Sequence, residues 1–166
     1  MQTSLTIVIR RAQWSDIPRL IELRKLLLSQ GNGHYVSRTE EDEEAWQSSY
    51  RQWLTTHLHG NPNILIAVAG EKDSSDSAAC AIGIIDERAP MKGCLNGRVG
   101  WIQTVVVDPG QRRKGYAESI MQYILNWFHE KEVGKVVLQT TEIAKSLYTK
   151  LGFAESGEDL LIKSIS

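Results

Sequence analysis

Residues 105–117 read Val-Val-Val-Asp-Pro-Gly-Gln-Arg-Arg-Lys-Gly-Tyr-Ala. The β-branched run predicts a strand, and the Asp-Pro-Gly that follows predicts a turn at its end. Apolar residues then recur at helical spacing, which predicts an amphipathic helix with one buried face: Ala117, Ile120, Met121, Ile124, Leu125 and Phe128. Backbone N–H groups at a helix start lack partners inside the helix and carry positive dipole charge, so this order of elements favours a bound anion.

The turn itself adds positive charge to those amides. Arg112, Arg113 and Lys114 are basic, and Gly115 lets a ligand approach the backbone closely. A phosphate-bearing ligand and a merely solvated basic corner both fit this segment taken alone. The P-loop pattern is absent, and Gly31-Asn32-Gly33 follows a predicted helix and lacks the third glycine of a dinucleotide fingerprint.

The rest of the chain alternates between strand and helix patterns. Helices are predicted after Ser15 and Asp16, from the acidic run Glu40–Glu44 to about His59, and from Thr140 or Thr141 through Leu151. Further strands are predicted over Leu5–Ile9, Ile64–Ala69, Ala78–Ile85, Trp101–Val107, Lys135–Gln139, and once or twice within Phe153–Lys163. The order β-α-α-β-β-β-α-β-α-β predicts one α/β (α+β) domain over residues 1–166.

Composition narrows the function classes. A formal net charge of −1 argues against nucleic acid as the main partner, because binding a phosphate backbone usually needs a basic excess. Two cysteines give no disulfide framework, and no apolar run approaches the roughly 20 residues of a membrane helix. We therefore expect a cytoplasmic protein that acts neither on nucleic acid nor in a membrane.

A second segment, residues 147–153, narrows the interpretation of residues 105–117. Leu147-Tyr148-Thr149-Lys150-Leu151-Gly152-Phe153 places a tyrosine on a short helix before Gly-Phe. Together the two segments resemble the GNAT superfamily of N-acetyltransferases, whose signatures are (Arg/Gln)-x-x-Gly-x-(Gly/Ala) and a later Leu-Tyr-x-x-x-Gly-Phe. The element order is also similar, so the resemblance covers nearly the whole chain. It implies a mixed, mostly antiparallel central sheet flanked by helices.

The resemblance also implies roles for individual residues. Acetyl-CoA is the implied cosubstrate, and its pantetheine arm would pair with the strand edge at Val105, Val106 and Val107, with the N–H near Val105 facing the oxyanion. Tyr148 matches the family's general acid; alternatively it positions the sulfur or only packs in the core. The implied contacts to the cofactor, most of them around its pyrophosphate, are Arg112, Arg113, Lys114, Gly115, Tyr116, Ala117 and Thr141.

The general base is the open question. Many relatives carry a glutamate on the strand before the motif, where this chain has Gln103, and glutamine cannot act as a base. Asp86, Glu87, His34 and the Glu40–Glu44 run are the candidates from elsewhere. Solvated side chains are the simpler interpretation of Asp86, Glu87 and the acidic run.

The resulting hypothesis is direct acetyl transfer from acetyl-CoA to a primary amine of a small molecule or peptide, in a ternary complex. The alternative is an acyl-CoA-binding module without turnover, which the glutamine at position 103 keeps open. No metal site is expected, since His57, His59, Cys80 and Cys94 lack any known zinc spacing. A homodimer is common in the superfamily, but the sequence carries no specific interface signal.

Overall fold

The computed structural model describes residues 6–29, 37–141 and 144–165. Its elements are β1 (Ile7–Arg11), α1 (Ile17–Ser29), α2 (Glu40–His57), β2 (Ile64–Glu71), β3 (Ala79–Glu87), β4 (Arg98–Val107), α3 (Tyr116–Glu130), β5 (Lys135–Leu138) and α4 (Lys145–Lys150). Two 3-10 turns, Trp14–Asp16 and Pro109–Gln111, precede α1 and α3. Gly31-Asn32-Gly33 and the candidate base His34 lie outside the described residues.

The described strands form one sheet in the order β1-β2-β3-β4-β5. Neighbours from β1 to β4 are antiparallel, whereas β5 runs parallel to β4. One face of the sheet packs against α1 and α2, and the other packs against α3 and α4. The expected fold class, a mostly antiparallel mixed sheet flanked by helices, is confirmed.

Helix α3 supplies most of the core on its side of the sheet. Ile120, Met121, Ile124 and Phe128 are almost wholly buried, as the apolar spacing predicts. The buried face is wider than that pattern, because Tyr116 and Trp127 are also 2% and 6% exposed. Helix α2 begins where the acidic run predicts, after Thr39, whose hydroxyl accepts a hydrogen bond from the Asp42 N–H at 3.1 Å.

The start of the chain differs slightly from the sequence prediction. Strand β1 covers Ile7–Arg11 rather than Leu5–Ile9, and Leu5 lies outside the described residues. Asp16 ends a 3-10 turn and does not cap α1 directly. Its carboxylate accepts hydrogen bonds from the Gln13 N–H at 2.7 Å and from the Arg10 guanidinium, so it fixes the turn that leads into the helix.

The predicted last strand is wrong for the described residues after Phe153. Residues 154–165 form no strand, and the apolar side chains there are exposed: Leu160 56%, Leu161 90%, Ile162 58% and Ile165 91%. A Leu-Leu-Ile run has strand propensity only where a neighbouring strand and a buried face support it. The described residues provide neither a neighbouring strand nor a buried face for residues 160–162. The strand prediction, which rested on local composition alone, was therefore wrong.

Gly100 gives a stability prediction. A Cβ at this position of β4 would lie 2.7–2.9 Å from ring carbons of Phe128 in α3. We expect Gly100→Ala to lower the free energy of unfolding by about 1–3 kcal/mol, because a well-packed core resists added volume. Urea denaturation measures the change. Gly110→Ala is the matched control, since its Cβ would meet only Asp108 Oδ1 at 3.5 Å; equal losses in the two variants would contradict the packing argument.

Candidate functional site

Strand β4 has an open edge along its second half. It pairs with β3 from Arg98 to Val107, but its parallel pairing with β5 covers only Val99–Ile102. From residue 103 onward, no described strand pairs with β4 on the β5 side. Unpaired N–H and C=O groups at such an edge can hold an extended chain of amides. The open segment contains Val105, Val106 and Val107, the residues expected to bind pantetheine.

A β-bulge opens this segment. Thr104 pairs with Ile82 and Ile102 pairs with Gly83, so Gln103 has no partner on β3. Strict alternation would put Ile102 and Thr104 on the same face of the sheet, whereas Ile102 packs in the core under α3 and Thr104 contacts α1. Bulges of this kind re-aim side chains next to active sites. The exposed Gln103 therefore marks the point where β4 leaves β5.

The turn after β4 presents a free helix start. Gly115 is the N-cap of α3 with φ of +89°, and no side chain of the described residues caps the helix. The first hydrogen bond into the helix is Ser119 N–H to Gly115 C=O at 3.1 Å. The N–H groups of residues 116–118 therefore donate no hydrogen bond to any described residue and can bind an anion.

Positive side chains surround that helix start. Arg112, Arg113 and Lys114 are all exposed. Arg113 has φ of +64°, a left-handed conformation that helps to wrap the backbone around the turn, and the Lys114 ammonium donates to the Gln111 side chain at 2.8 Å. Tyr116 contributes differently from its neighbours: its phenol is buried, so only its backbone N–H faces the turn.

An ion pair that sequence reasoning missed holds the turn in place. Arg19 of α1 donates from Nη2 to Asp108 Oδ2 at 2.7 Å and from Nε to the Ser77 carbonyl at 2.8 Å. The other oxygen of Asp108 accepts the Gly110 N–H at 2.9 Å. The two partners are 89 positions apart in sequence, so no local pattern reveals the contact.

This pair predicts a pH dependence. The Arg19 guanidinium, and next the Gly110 N–H, hold the pKa of Asp108 below its ordinary value of 3.8. A lowered folded-state pKa stabilises the protein above the unfolded-state pKa, and the stabilisation is lost as pH falls through the folded-state value. We expect Asp108→Asn to cost about 1 kcal/mol near neutral pH, since the pair is only partly buried. The difference in free energy of unfolding should shrink below about pH 4, and a pH-independent difference would contradict this assignment.

Tyr148 lies on α4 and packs in the core between the sheet and α3. It is 8% exposed, and its ring makes an edge contact with Phe153 at a centroid distance of 6.0 Å. No described residue hydrogen-bonds its hydroxyl. Burial raises the pKa of Tyr148, which keeps the phenol protonated at neutral pH. A protonated, unengaged hydroxyl is the form that a general acid requires.

The described candidate bases are held by other partners or are exposed to solvent. Asp86 and Glu87 pair in register with Val99 and Arg98, at the opposite end of β4, and their carboxylates contact Arg88 and Arg98. In the acidic run, Glu43 accepts hydrogen bonds from the side chains of Trp46 and Gln47, and the other four residues are exposed. Neither pattern provides a free base beside Val105.

The remaining expectations concern metals, thiols and Thr141. The described residues contain no group of three or more metal-ligating side chains, and Cys80 and Cys94 are buried free thiols. Within the same ranges, no helix is long and apolar enough to cross a membrane. Thr141 is exposed between β5 and α4, where its hydroxyl accepts the Ala144 N–H at 3.4 Å.

Known proteins share both sequence and fold with this chain. It is 30% identical over 99 residues to the probable glucosamine 6-phosphate N-acetyltransferase 2 of Oryza sativa subsp. japonica, a match that covers 59% of this chain and 58% of the rice protein. The chain thus spans about three fifths of the length of that curated relative.

Solved structures match over a greater length. A GCN5-related N-acetyltransferase from Ralstonia eutropha JMP134 superposes with a TM-score of 0.78 at 22% identity, covering 96% of this chain and 99% of that one. A predicted acetyltransferase from Clostridium acetobutylicum, solved with acetyl-CoA, gives 0.74 at 20% identity and covers 95% and 96%. A sequence model of the acetyltransferase (GNAT) family matches residues 20–153. The chain therefore belongs to the acetyltransferase (GNAT) family.

Proposed function

We propose that this protein transfers an acetyl group from acetyl-CoA to a primary amine of a small molecule or peptide. The observation that carries the proposal is the continuity of two features: the open edge of β4 from Gln103 to Val107 leads directly into the uncapped start of α3. An extended chain of amides that ends in phosphates fits such a strand edge followed by a helix N-terminus. Acetyl-CoA has this form.

The residues present fit that ligand. The N–H groups of residues 116–118, with the charges of Arg112, Arg113 and Lys114, would hold the pyrophosphate. The β4 edge would hold the pantetheine arm, and the Val105 N–H would stabilise the oxyanion, a contact worth roughly 3 kcal/mol of barrier. Thr141 remains a proposed contact of the cofactor.

The proposed reaction is direct attack in a ternary complex. The amine nitrogen forms a bond to the thioester carbonyl carbon, and the carbon–sulfur bond then breaks. The leaving thiolate takes a proton from the Tyr148 hydroxyl, the amine gives its own proton to solvent, and the Tyr148 phenolate regains a proton from solvent. Since Gln103 cannot accept a proton, amines that are partly neutral at the working pH are the favoured acceptors.

Relatives support an amine acceptor in general terms. The rice relative is named for glucosamine 6-phosphate, which carries a primary amine on a small molecule. Glutamine at position 103, which cannot act as a base, supports the second candidate, a domain that binds acyl-CoA without turnover. We place the protein in the cytoplasm, where its two free cysteines would stay reduced.

One experiment separates the two candidates. Thermal-shift assays with acetyl-CoA measure binding, and release of free thiol is then followed with a panel of amines: an amino sugar and its 6-phosphate, an aminoglycoside, a polyamine and a peptide N-terminus. Stabilisation by acetyl-CoA with amine-dependent thiol release supports the transferase. Stabilisation without thiol release for any amine supports the binding module, and absence of stabilisation contradicts both.

A further inference from the structure

Arg24 carries a partly buried charge that no carboxylate of the described residues neutralises. Three arginines are half-buried among the described residues: Arg19, Arg24 and Arg98. Arg19 pairs with Asp108 and Glu22, and Arg98 pairs with Glu87. Within those same ranges, no carboxylate oxygen lies within 4.0 Å of Arg24, and its one hydrogen bond goes to the neutral hydroxyl of Thr104 at 3.0 Å. A partly desolvated guanidinium with spare N–H donors is well suited to a bound anion.

The position of this charge connects it to the proposed reaction. Thr104 lies between the bulged Gln103 and Val105, inside the open segment of β4. The bulge turns Thr104 towards α1, so the guanidinium of Arg24 lies on the α1 face of the sheet beside the proposed oxyanion site. The exposed cations Arg112, Arg113 and Lys114 lie after the end of β4, at the start of α3, whereas Arg24 contacts Thr104 within β4. Arg24 is therefore separate from the turn that we assign to the pyrophosphate.

Tyr50 of α2 completes this small site. The carbon at the centre of the Arg24 guanidinium lies 4.6 Å from the centroid of the Tyr50 ring. The ring fixes the plane of the guanidinium through a cation–π contact. The hydroxyl of Tyr50 is sealed from solvent, and among the described residues no group completes a hydrogen bond to it with ordinary geometry; a ligand or a small movement of the neighbouring Arg24 would satisfy it.

Neighbouring charges leave the guanidinium available. Glu22 on α1 is engaged by Arg19, and Glu43 on α2 lies 3.8 Å from the ammonium of Lys25. Each of these two carboxylates is thus already paired with another cation.

We propose that Arg24 binds an anionic group, a phosphate or a carboxylate, on the amine acceptor. The inference rests on the proposed function, which it deepens by naming the acceptor class. The acceptor then makes two contacts. Its amine approaches the thioester near Val105, and its anionic group pairs with Arg24 on the side of the sheet that α1 covers. Arg24 acts in specificity and takes no part in the bond-breaking steps.

The test measures the binding of matched acceptor pairs to the protein saturated with CoA, so it does not depend on turnover. One pair is glucosamine 6-phosphate and glucosamine; the other is phenylalanine and phenylalanine amide. Calorimetry should show that the anionic member of at least one pair binds at least about ten-fold more tightly than its neutral partner, and Arg24→Met should abolish that preference. The pair that responds identifies phosphate or carboxylate as the anion.

Two further variants keep the result interpretable. Arg24→Lys should restore part of the preference, because it keeps the charge but loses the planar fork. Arg51→Met removes an exposed arginine from α2 and should leave the preference intact. The proposal is overturned if neither pair shows a preference, if Arg24→Met keeps it, or if Arg24→Met weakens CoA as much as the anionic acceptor. Arg24→Met could still release thiol from acetyl-CoA while its affinity ratio between anionic and neutral acceptors equals that of the parent protein. That result would overturn this inference and leave the transferase function in place.

Discussion

Replacement of Gly115 by aspartate is expected to weaken acetyl-CoA binding by at least about 100-fold, since two like charges about 5 Å apart repel by roughly 3 kcal/mol at a partly buried site. Gly115 is the N-cap of α3, so the new carboxylate would lie against the free N–H groups that we assign to the pyrophosphate. It would accept those hydrogen bonds itself and repel the phosphates. Steric conflict with the described residues is not the cause, because the one atom among them within 4 Å of a Cβ there is Ile7 Cδ1 at 3.8 Å.

Gly115→Asn is the matched control for that prediction. Asparagine has the shape of aspartate and also tolerates the left-handed backbone conformation that φ of +89° imposes. We expect it to weaken acetyl-CoA by less than about ten-fold, because it lacks the charge. Calorimetric titration of both variants, with melting temperatures to confirm folding, gives the comparison. Equal losses in the two would show that shape matters more than charge, and normal binding by the aspartate variant would remove the pyrophosphate from this turn.

Tyr148→Phe is expected to lower kcat by about 100-fold or more, within the usual range for loss of a general acid. Phenylalanine keeps the buried ring and its edge contact with Phe153, so only the hydroxyl is lost. The dissociation constant of acetyl-CoA should stay nearly unchanged, because the hydroxyl acts on the leaving thiolate. Thiol-release kinetics and calorimetry measure the two quantities separately.

Tyr123→Phe serves as the control for removal of a tyrosine hydroxyl. Tyr123 lies on α3, where it packs against the same core in a half-buried position, and it should keep the kcat of the parent protein. An unchanged kcat in Tyr148→Phe would exclude Tyr148 as the acid and leave it a packing residue. A parallel loss of acetyl-CoA affinity would instead indicate that the hydroxyl positions the sulfur.

The sequence predicted best where its signals are local. The β-branched run, the Asp-Pro-Gly turn and the apolar spacing after Gly115 locate the end of β4 and the buried face of α3, because each depends on residues that are neighbours in the chain. The same kind of reasoning failed for the last predicted strand. Leu160 to Ile162 have strand composition, but a strand also needs a partner, which local composition does not encode.

Distant contacts account for most of the rest of the site. The Arg19–Asp108 pair joins positions 89 apart, and the contact of Arg24 with Thr104 joins positions 80 apart. The bulge at Gln103 arises from the register between β3 and β4, so a single strand sequence gives no sign of it. The sequence therefore indicated which residues line the β4 edge and the turn, while the structure showed what holds them and which face Thr104 takes.

Amide hydrogen exchange with and without acetyl-CoA tests the central claim most directly, since it reports on individual backbone N–H groups along β4 and α3. We expect acetyl-CoA to slow exchange in two separate segments, the open β4 edge at residues 104–107 and the helix start at residues 113–118. The gain in protection should be smaller in β2 and in the first half of β4, because each of these segments already pairs with a neighbouring strand on both sides. Binding of acetyl-CoA that leaves both segments unchanged and protects another surface would contradict the account.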